Sequence, residues 1–287
     1  MATGQFPTGT HTNTTLASVV GLLWSKKVNN FYRDVLKAAS FFTDLSADFA
    51  AGAKSVYVPN VTQMTAYAKT TGAVVTLNQT TDTKVTLTLD TWYECSFAIE
   101  DKEADQILKQ YSYMEMQMKN VAYSCAAAYE DAILALFTGF SQTVGASTAA
   151  LADSNIRRAI QSLDEAKCPV EDRAFFLSPK MVWSDLMAST TPYSSFYYSP
   201  TSDPIMKGHI GHLRGIPVIM SERIGTVTGS EKGALAHKDA IVHASSGVRV
   251  QSNYIPQYLS TIVTADVRFG VVENRDTSGV WIKTATA

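Results

Sequence analysis

Two histidines three residues apart, His209-Ile-Gly-His212, come nearest in this chain to the spacing of metal ligands. A zinc site needs three or four ligands on firm supports. No cysteine, third histidine or acidic helix stands at a matching spacing. Gly208 and Gly211 make the segment a glycine-bearing turn, so exposed turn histidines are expected and no metal. Nucleophilic catalysis calls for a serine or cysteine with a positioned base. There is no Gly-x-Ser-x-Gly elbow, and Cys168 directly precedes Pro169 at a helix end, where capping accounts for it. Asp164-Glu165 and Glu171-Asp172 are carboxylates adjacent in sequence. Neighbouring helical residues point in different directions, so these read as solvated helix-end charge. Neither phosphate-cradling glycine motif occurs; Gly208, Gly211 and Gly215 have the wrong spacing and lead into a strand, whereas a phosphate cradle leads into a helix. The chain reads as a protein with no catalytic residue and no cofactor.

Composition narrows the class further. The 287 residues carry 24 Lys and Arg against 26 Asp and Glu, a formal net charge of -2. A nucleic-acid reader usually has an evident cationic excess, although this balance is compatible with a protein that merely encloses nucleic acid. Basic residues are scattered in pairs such as Lys26-Lys27 and Arg157-Arg158. Tyr193, Phe196, Tyr197 and Tyr198, bounded by Pro192 and Pro200, have the stacking residues for bases. Without nearby cations a protein–protein contact is the better reading, since Tyr and Phe are enriched in interface cores. Cys95, Cys125 and Cys168 are odd in number and widely separated, which fits reduced, buried thiols. No apolar run reaches a membrane span, and Leu16 to Trp24 lacks a preceding positive charge. A soluble protein, not exported by that route, is expected.

These residues must be positioned by an unusual set of elements. Asp101 to Thr138 has neither glycine nor proline until Gly139. Ile107, Tyr111, Met114, Met118, Val121, Cys125, Ala128 and Ala132 alternate steps of four and three, the period of a one-sided seam. The spacing predicts one helix roughly 57 Å long, and such a rod needs a surface of its own length to lie on. Residues 1 to 15 hold six threonines and no charge, which suits draping over another subunit or, equally, a frayed terminus. Leu16 to Ala39 has helical spacing, with a break near Val28.

From Ser55 the period becomes two. Val56 and Val58 alternate before Pro59, Thr83 to Asp90 alternates over eight residues, and Trp92 to Ile99 extends the strand signal. Residues 55 to 95 therefore read as a long two-stranded excursion, with strands of a compact sheet as the other reading. An isolated hairpin is marginal in water, so this one is expected to find its partner on a neighbouring molecule. Ser141 to Ala150 reads as a linker. An Asp153-capped helix runs to Cys168-Pro169, and a strand follows at Ala174 to Leu177. Pro179 opens a short helix with Met181, Trp183 and Leu186, and Thr191 to Asp203 is a loop. Strands are expected at 215–220, 234–237, 248–251, 259–272 and 280–283, with turns at 225–233. The class is α+β, without regular βαβ alternation.

Taken in order, these segments resemble the major capsid protein of tailed bacteriophages with the Hong Kong 97-like fold. The resemblance rests on Trp24-Ser25-Lys26-Lys27-Val28 in the arm, Gly52 to Pro59 at the start of a β-loop, and the long helix. Further along it rests on Phe175-Phe176-Leu177-Ser178-Pro179, Gly215 to Ser221 and Ala265-Asp266-Val267-Arg268-Phe269-Gly270. It implies an N-terminal arm and helix (1–50), an extended β-hairpin loop (51–95), a peripheral domain with a spine helix (96–140 and 260–287) and an axial domain (141–259). It further implies self-assembly into pentamers and hexamers of an icosahedral shell around double-stranded DNA, without sequence-specific binding or membrane. The shell would be assembled in the host cytoplasm. Because Met1 opens directly into the arm, an uncleaved coat subunit is expected, with a portal and a separate scaffolding protein, or no scaffold. In some relatives a loop lysine is cross-linked to an asparagine of a neighbour; Lys69, Lys84 and Asn274 lie in matching regions. Trp24, Tyr57, Tyr67, Lys69, Lys84, Tyr193, Phe196, Tyr197 and Tyr198 are the candidate inter-subunit contacts. An encapsulin-type compartment shell of the same fold is the alternative.

Overall fold

In the computed structural model, residues 36–49, 54–79, 83–102, 113–186, 212–227 and 229–286 are described. The Thr-rich arm, nearly all of the helix expected at Leu16 to Ala39, and the loop at Thr191 to Asp203 lie outside these residues. So do His209 and positions 103–112 of the stretch expected to form one long helix.

The chain enters through a short helix α1 (Ala38–Phe41), strand β1 (Thr43–Asp44) and helix α2 (Ser46–Phe49). Next come β2 (Ser55–Asn60), β3 (Thr83–Thr88) and β4 (Thr91–Glu100), and then the long helix α3 (Tyr113–Ala135). A single 3-10 turn, Leu136–Thr138, closes α3 where the sequence placed the helix end. The second half comprises β5 (Gln142–Gly145), α4 (Asp153–Glu165), β6 (Arg173–Leu177), a π-helical turn (Met181–Leu186), β7 (His212–Leu213), β8 (Ile216–Met220) and β9 (Thr226–Val227). It ends with β10 (Ser230–His237), β11 (Ile241–Ser245), β12 (Arg249–Ile255), β13 (Ser260–Glu273) and β14 (Gly279–Ala285).

Two sheets organise these elements. In the first, β13 is the central strand: β4 pairs along one edge, while β12 and then β11 pair along the other, with β1 outside β11. In the second the order is β5-β14-β10-β6-β8-β7, with β9 joined to β10. The sheets do not part at residue 260. Strands β11 and β12 precede it yet pair with β13, and β14 follows it yet pairs with β10 and β5. The chain thus crosses between the sheets at 139–141, 238–240 and 274–278. These crossings are tied together by Asn274 N–H donating to the Ala240 carbonyl (2.8 Å) and Ser141 N–H donating to Asp276 (2.6 Å).

The helix α3 spans both sheets, which explains its length. Val121 and Cys125, two positions of the expected seam, pack on Ala265, Val267 and Phe269 of β13. Farther along, Ile133, Leu134 and Phe137 pack on Ala174, Phe176, Ala234 and Ala236 of the second sheet. Strand β6 is buried on both faces: Phe176 meets Phe42 and Phe137, whereas Phe175 and Leu177 face α4 through Ile156, Ala159 and Leu163. A strand covered on both sides reads as a continuous apolar run rather than an alternation.

Polar contacts fix the joint between α3 and the entering chain. The buried carboxylate of Glu130, on the side of α3 that meets α1, accepts N–H bonds from Lys37 (2.8 Å), Ala38 (2.7 Å) and Ala39 (3.1 Å). One residue earlier, the Tyr129 hydroxyl lies 2.5 Å from Nδ1 of His243 on β11. Burial pushes the His243 imidazole below its usual range.

Several sequence readings need correction. β4 does not continue the excursion but joins the first sheet, so the two-stranded part ends at Thr88. Asp153 is not a cap: the position before α4 is Ala152, with no side-chain cap bond, and Asp153 instead pairs with Arg157 (2.9 Å) and Arg214 (2.7 Å). The expected turn at 225–233 is partly strand, because β10 starts at Ser230 and pairs with β14 from there on. β5 falls in the expected linker, and β11 was not foreseen.

Candidate inter-subunit surface

The candidate surface begins with the β2–β3 hairpin. Register pairs Val56 with Leu87 and Tyr57 with Thr86. Alternation along the strands turns Leu87 inward, where it is 1% exposed among Phe49, Ala244 and Val272. Gly270 of β13 lets Thr88 approach, since a Cβ there would fall well inside van der Waals contact with the Thr88 carbonyl oxygen. The other hairpin face holds Tyr57 with the Lys84 ammonium 4.0 Å from its ring centroid, a cation–π contact worth about 0.5–1 kcal/mol at an exposed site. Lys84 is thus held against Tyr57, while Lys69 is exposed in the loop beyond.

Beyond the hairpin base the chain leaves the body. Every residue from 61 to 79 is exposed, including Met64, Tyr67 (56%), Val74 (92%), Val75 and Leu77 (88%). The segment turns at Gly72, where φ is +81° and Ala73 N–H bonds to the Thr70 carbonyl. Its two arms are tied by Asn78 Nδ2 donating to the Thr65 carbonyl (2.8 Å). Apolar residues grouped this way on a protrusion mark an interaction site, whereas exposed apolar residues scattered singly need no explanation.

Of the candidate contacts, Tyr57 and Lys84 lie on the hairpin strands, and Tyr67 and Lys69 lie on the protrusion beyond them. Trp24, Tyr193, Phe196, Tyr197 and Tyr198 fall outside the described residues. Asn274 donates through Nδ2 to the Asp239 carbonyl (3.1 Å) at the crossing between the sheets. Sequence reasoning missed Trp92, which is 62% exposed on the face of β4 turned away from α3. Its Nε1 donates to Asp266 (3.3 Å), the Arg268 guanidinium lies 4.8 Å from its ring centroid, and Arg249 holds Asp266 with two bonds. The signal was the alternation of β4 itself, which sets Trp92, Glu94, Ser96 and Ala98 opposite Tyr93, Cys95, Phe97 and Ile99.

Several of the residues considered for chemistry are engaged elsewhere. Asp164 pairs with Arg173 (2.7 Å), and Glu165 accepts from Gln161 (2.6 Å). Cys168 N–H closes α4 on the Leu163 carbonyl, and burial pushes both the Cys168 and Cys125 thiols up, which disfavours the nucleophilic thiolate. His212 starts β7, in a two-strand turn through Arg214 and Gly215. Among the described residues no group of three His, Cys, Asp or Glu side chains can hold a metal ion, and no helix is long and apolar enough to cross a membrane.

One carboxyl pair stands apart. Burial raises Glu273 to about 7, helped by a hydrogen bond with Asp276 and by its charge. Asp276 is itself lowered: burial acts upward, but hydrogen bonds from Ser141 and Glu273 outweigh it. The pair sits where the chain crosses between the sheets.

No protein-family model matches the chain, and no curated protein does. Solved structures do. One from Mycobacterium phage Che8 is 19% identical, covering 92% of this chain and 96% of its own, with a TM-score of 0.79. The capsid structure of the cyanophage P-SCSP1u is 14% identical over 98% of this chain and 96% of its own, with a TM-score of 0.75. The head structure of the Helicobacter pylori bacteriophage KHP40 is 12% identical over 99% of this chain and 100% of its own, also at 0.75. Agreement along nearly the whole of each chain gives this protein the Hong Kong 97-like α+β fold shared with these phage structures.

Proposed function

We propose that this chain is the major capsid subunit of a tailed bacteriophage, a structural protein that assembles into pentamers and hexamers of an icosahedral shell around double-stranded DNA. The observation that carries the reading is the protrusion at 61–79, whose apolar residues have no cover among the described residues of their own chain. A neighbouring copy supplies that cover. Contacts of this kind are heterologous, joining different patches of successive copies, and they close into rings when the rotation allows. The fold supports the reading, because the solved structures that share it include a phage capsid and a phage head. The same neighbours favour a phage head over a cargo compartment. A net charge of -2 suits a wall that contains DNA with little affinity for phosphate. A portal and a separate scaffolding protein are the further partners proposed, and the virion is the proposed location.

The test replaces residues 62–79 by a two-residue Asn-Gly turn. Residues 83–88 stay, since β3 pairs with β2 and Leu87 is part of the core. The parent protein is expected to form icosahedral particles in negative-stain micrographs. The shortened variant should keep its helicity and solubility yet remain as small oligomers. Particles of normal size from the shortened variant would refute the reading.

A further inference from the structure

Two of the three thiols are neighbours across the contact between α3 and the first sheet. The antiparallel register sets Cys95 of β4 opposite Ala265 of β13, and both pack in the cluster that α3 covers. The Cys125 thiol on α3 donates to the Ala265 carbonyl at 3.5 Å. Residues directly opposed in such a pair have Cα atoms about 4.5–5.5 Å apart, so the residue that Cys125 touches is the one beside Cys95. The ionisation of Cys125 shows the same closeness. Burial pushes this thiol up, the charge of Cys95 and then of Asp266 adds to the rise, and a hydrogen bond with the Cys95 backbone partly offsets it. A disulfide needs Cα atoms within about 7 Å, and small side chains let a helix come that near a sheet. Ala122, Ala126 and Ala128 flank Cys125 along α3, and Ala265 faces it from β13. Cys168 packs in a different core, with Leu163 and Phe175. All three thiols are free in the structure.

We propose that Cys95 and Cys125 are a redox pair, which closes into a disulfide tying α3 to β4 when the protein meets a small-molecule disulfide such as oxidised glutathione. Cys95 is half-buried and Cys125 is buried, so Cys95 reacts first. Its thiolate attacks one sulfur of oxidised glutathione, whose S–S bond breaks and releases one glutathione thiolate. Cys125 then loses its proton, and its thiolate attacks the Cys95 sulfur and expels the second glutathione. Two protein thiols are thereby oxidised to one disulfide, and the glutathione disulfide is reduced to two thiols. The two protons pass through solvent to the released glutathione thiolates. The tie is open under reducing conditions, where α3 can still adjust on the sheet, and closed under oxidising ones. In a shell it would fasten the spine helix after assembly, but the chemistry itself does not depend on assembly.

The experiment incubates the reduced full-length protein with excess oxidised glutathione at about pH 8, where thiolate is available, and follows it by intact mass and non-reducing tryptic mapping. The expected product is lighter by two hydrogens, with peptide 85–102 joined to peptide 120–157 and Cys168 still free. Closing a loop of roughly 30 residues should raise Tm by about 7 °C, and dithiothreitol should reverse both the crosslink and the shift. Cys125→Ala should stop at a glutathione adduct on Cys95, which shows the order of attack; if that variant does not fold, the map of the parent protein decides alone. Unmodified thiols in the parent, a persistent glutathione adduct on its Cys95, or a crosslink that includes Cys168 would each overturn the proposal. Particle formation plays no part in the readout, so failure here leaves the shell reading intact.

Discussion

Glu130 offers the sharpest test of how the entering chain is held to the body. Its carboxylate is buried and accepts three backbone N–H groups from Lys37, Ala38 and Ala39, one of them in a fully buried bond. Glu130→Gln keeps the shape. The amide oxygen can still serve two of the donors, but its NH2 group then faces the third, and the charge assistance is lost. Hydrogen bonds to charged groups contribute about 1.5–3 kcal/mol, against about 1 kcal/mol for neutral ones. One lost bond and two weakened ones together cost about 3 kcal/mol. Glu130→Ala leaves all three donors unpaired, but Lys37 and Ala39 are half-buried and water can reach them in part, so a cost of about 4 kcal/mol is expected. At about 2 °C per kcal/mol for a chain of this size, Tm should fall by about 6 °C and about 8 °C respectively. Circular dichroism of unassembled subunits provides the measurement. A Gln variant that melts within about 1 °C of the parent would show that the three bonds do not tie this joint together.

Further outcomes follow from single positions. Gly270→Ala should destabilise the subunit by about 1–3 kcal/mol, as overpacking does, because the new methyl group meets the Thr88 carbonyl; denaturant titration measures it, and an unchanged midpoint would contradict the close approach of β3 to β13. For Glu273, the folded carboxyl holds its proton to about pH 7, whereas the unfolded one releases it near 4.5. The folded state therefore binds more protons between these values, so stability is fully present below about 4.5 and declines as pH rises to about 7. Unfolding midpoints measured across that range should slope downward, and Glu273→Gln should flatten the slope.

Much of the architecture could be read locally. The seam of α3, the alternation at 83–90 and the long strand near 259–272 follow from periods of 3.6 and 2, which neighbouring residues set by themselves. Weak local signals hid other elements. β5 is four residues inside a run of small side chains, and β11 is a short apolar stretch directly behind a turn. At Asp153 the residue type suggested a cap, but Arg214, 61 positions away, claims the carboxylate.

The sequence by itself determined the class, the helical period of the spine and the strand alternation at 83–88. It could not determine strand partners, because β4 has the same alternation whether it pairs with β3 or with β13. Nor could it reveal which face of β4 would be covered: alternation separates Trp92 from Tyr93, but only the packing of α3 on one side leaves the indole exposed on the other. The role of Glu130 was equally hidden, since its partners lie more than 90 residues earlier and a carboxylate buried on a helix acquires meaning only once those N–H groups are brought to it. Period is a property of neighbours along the chain, whereas pairing and burial depend on segments that meet only after folding.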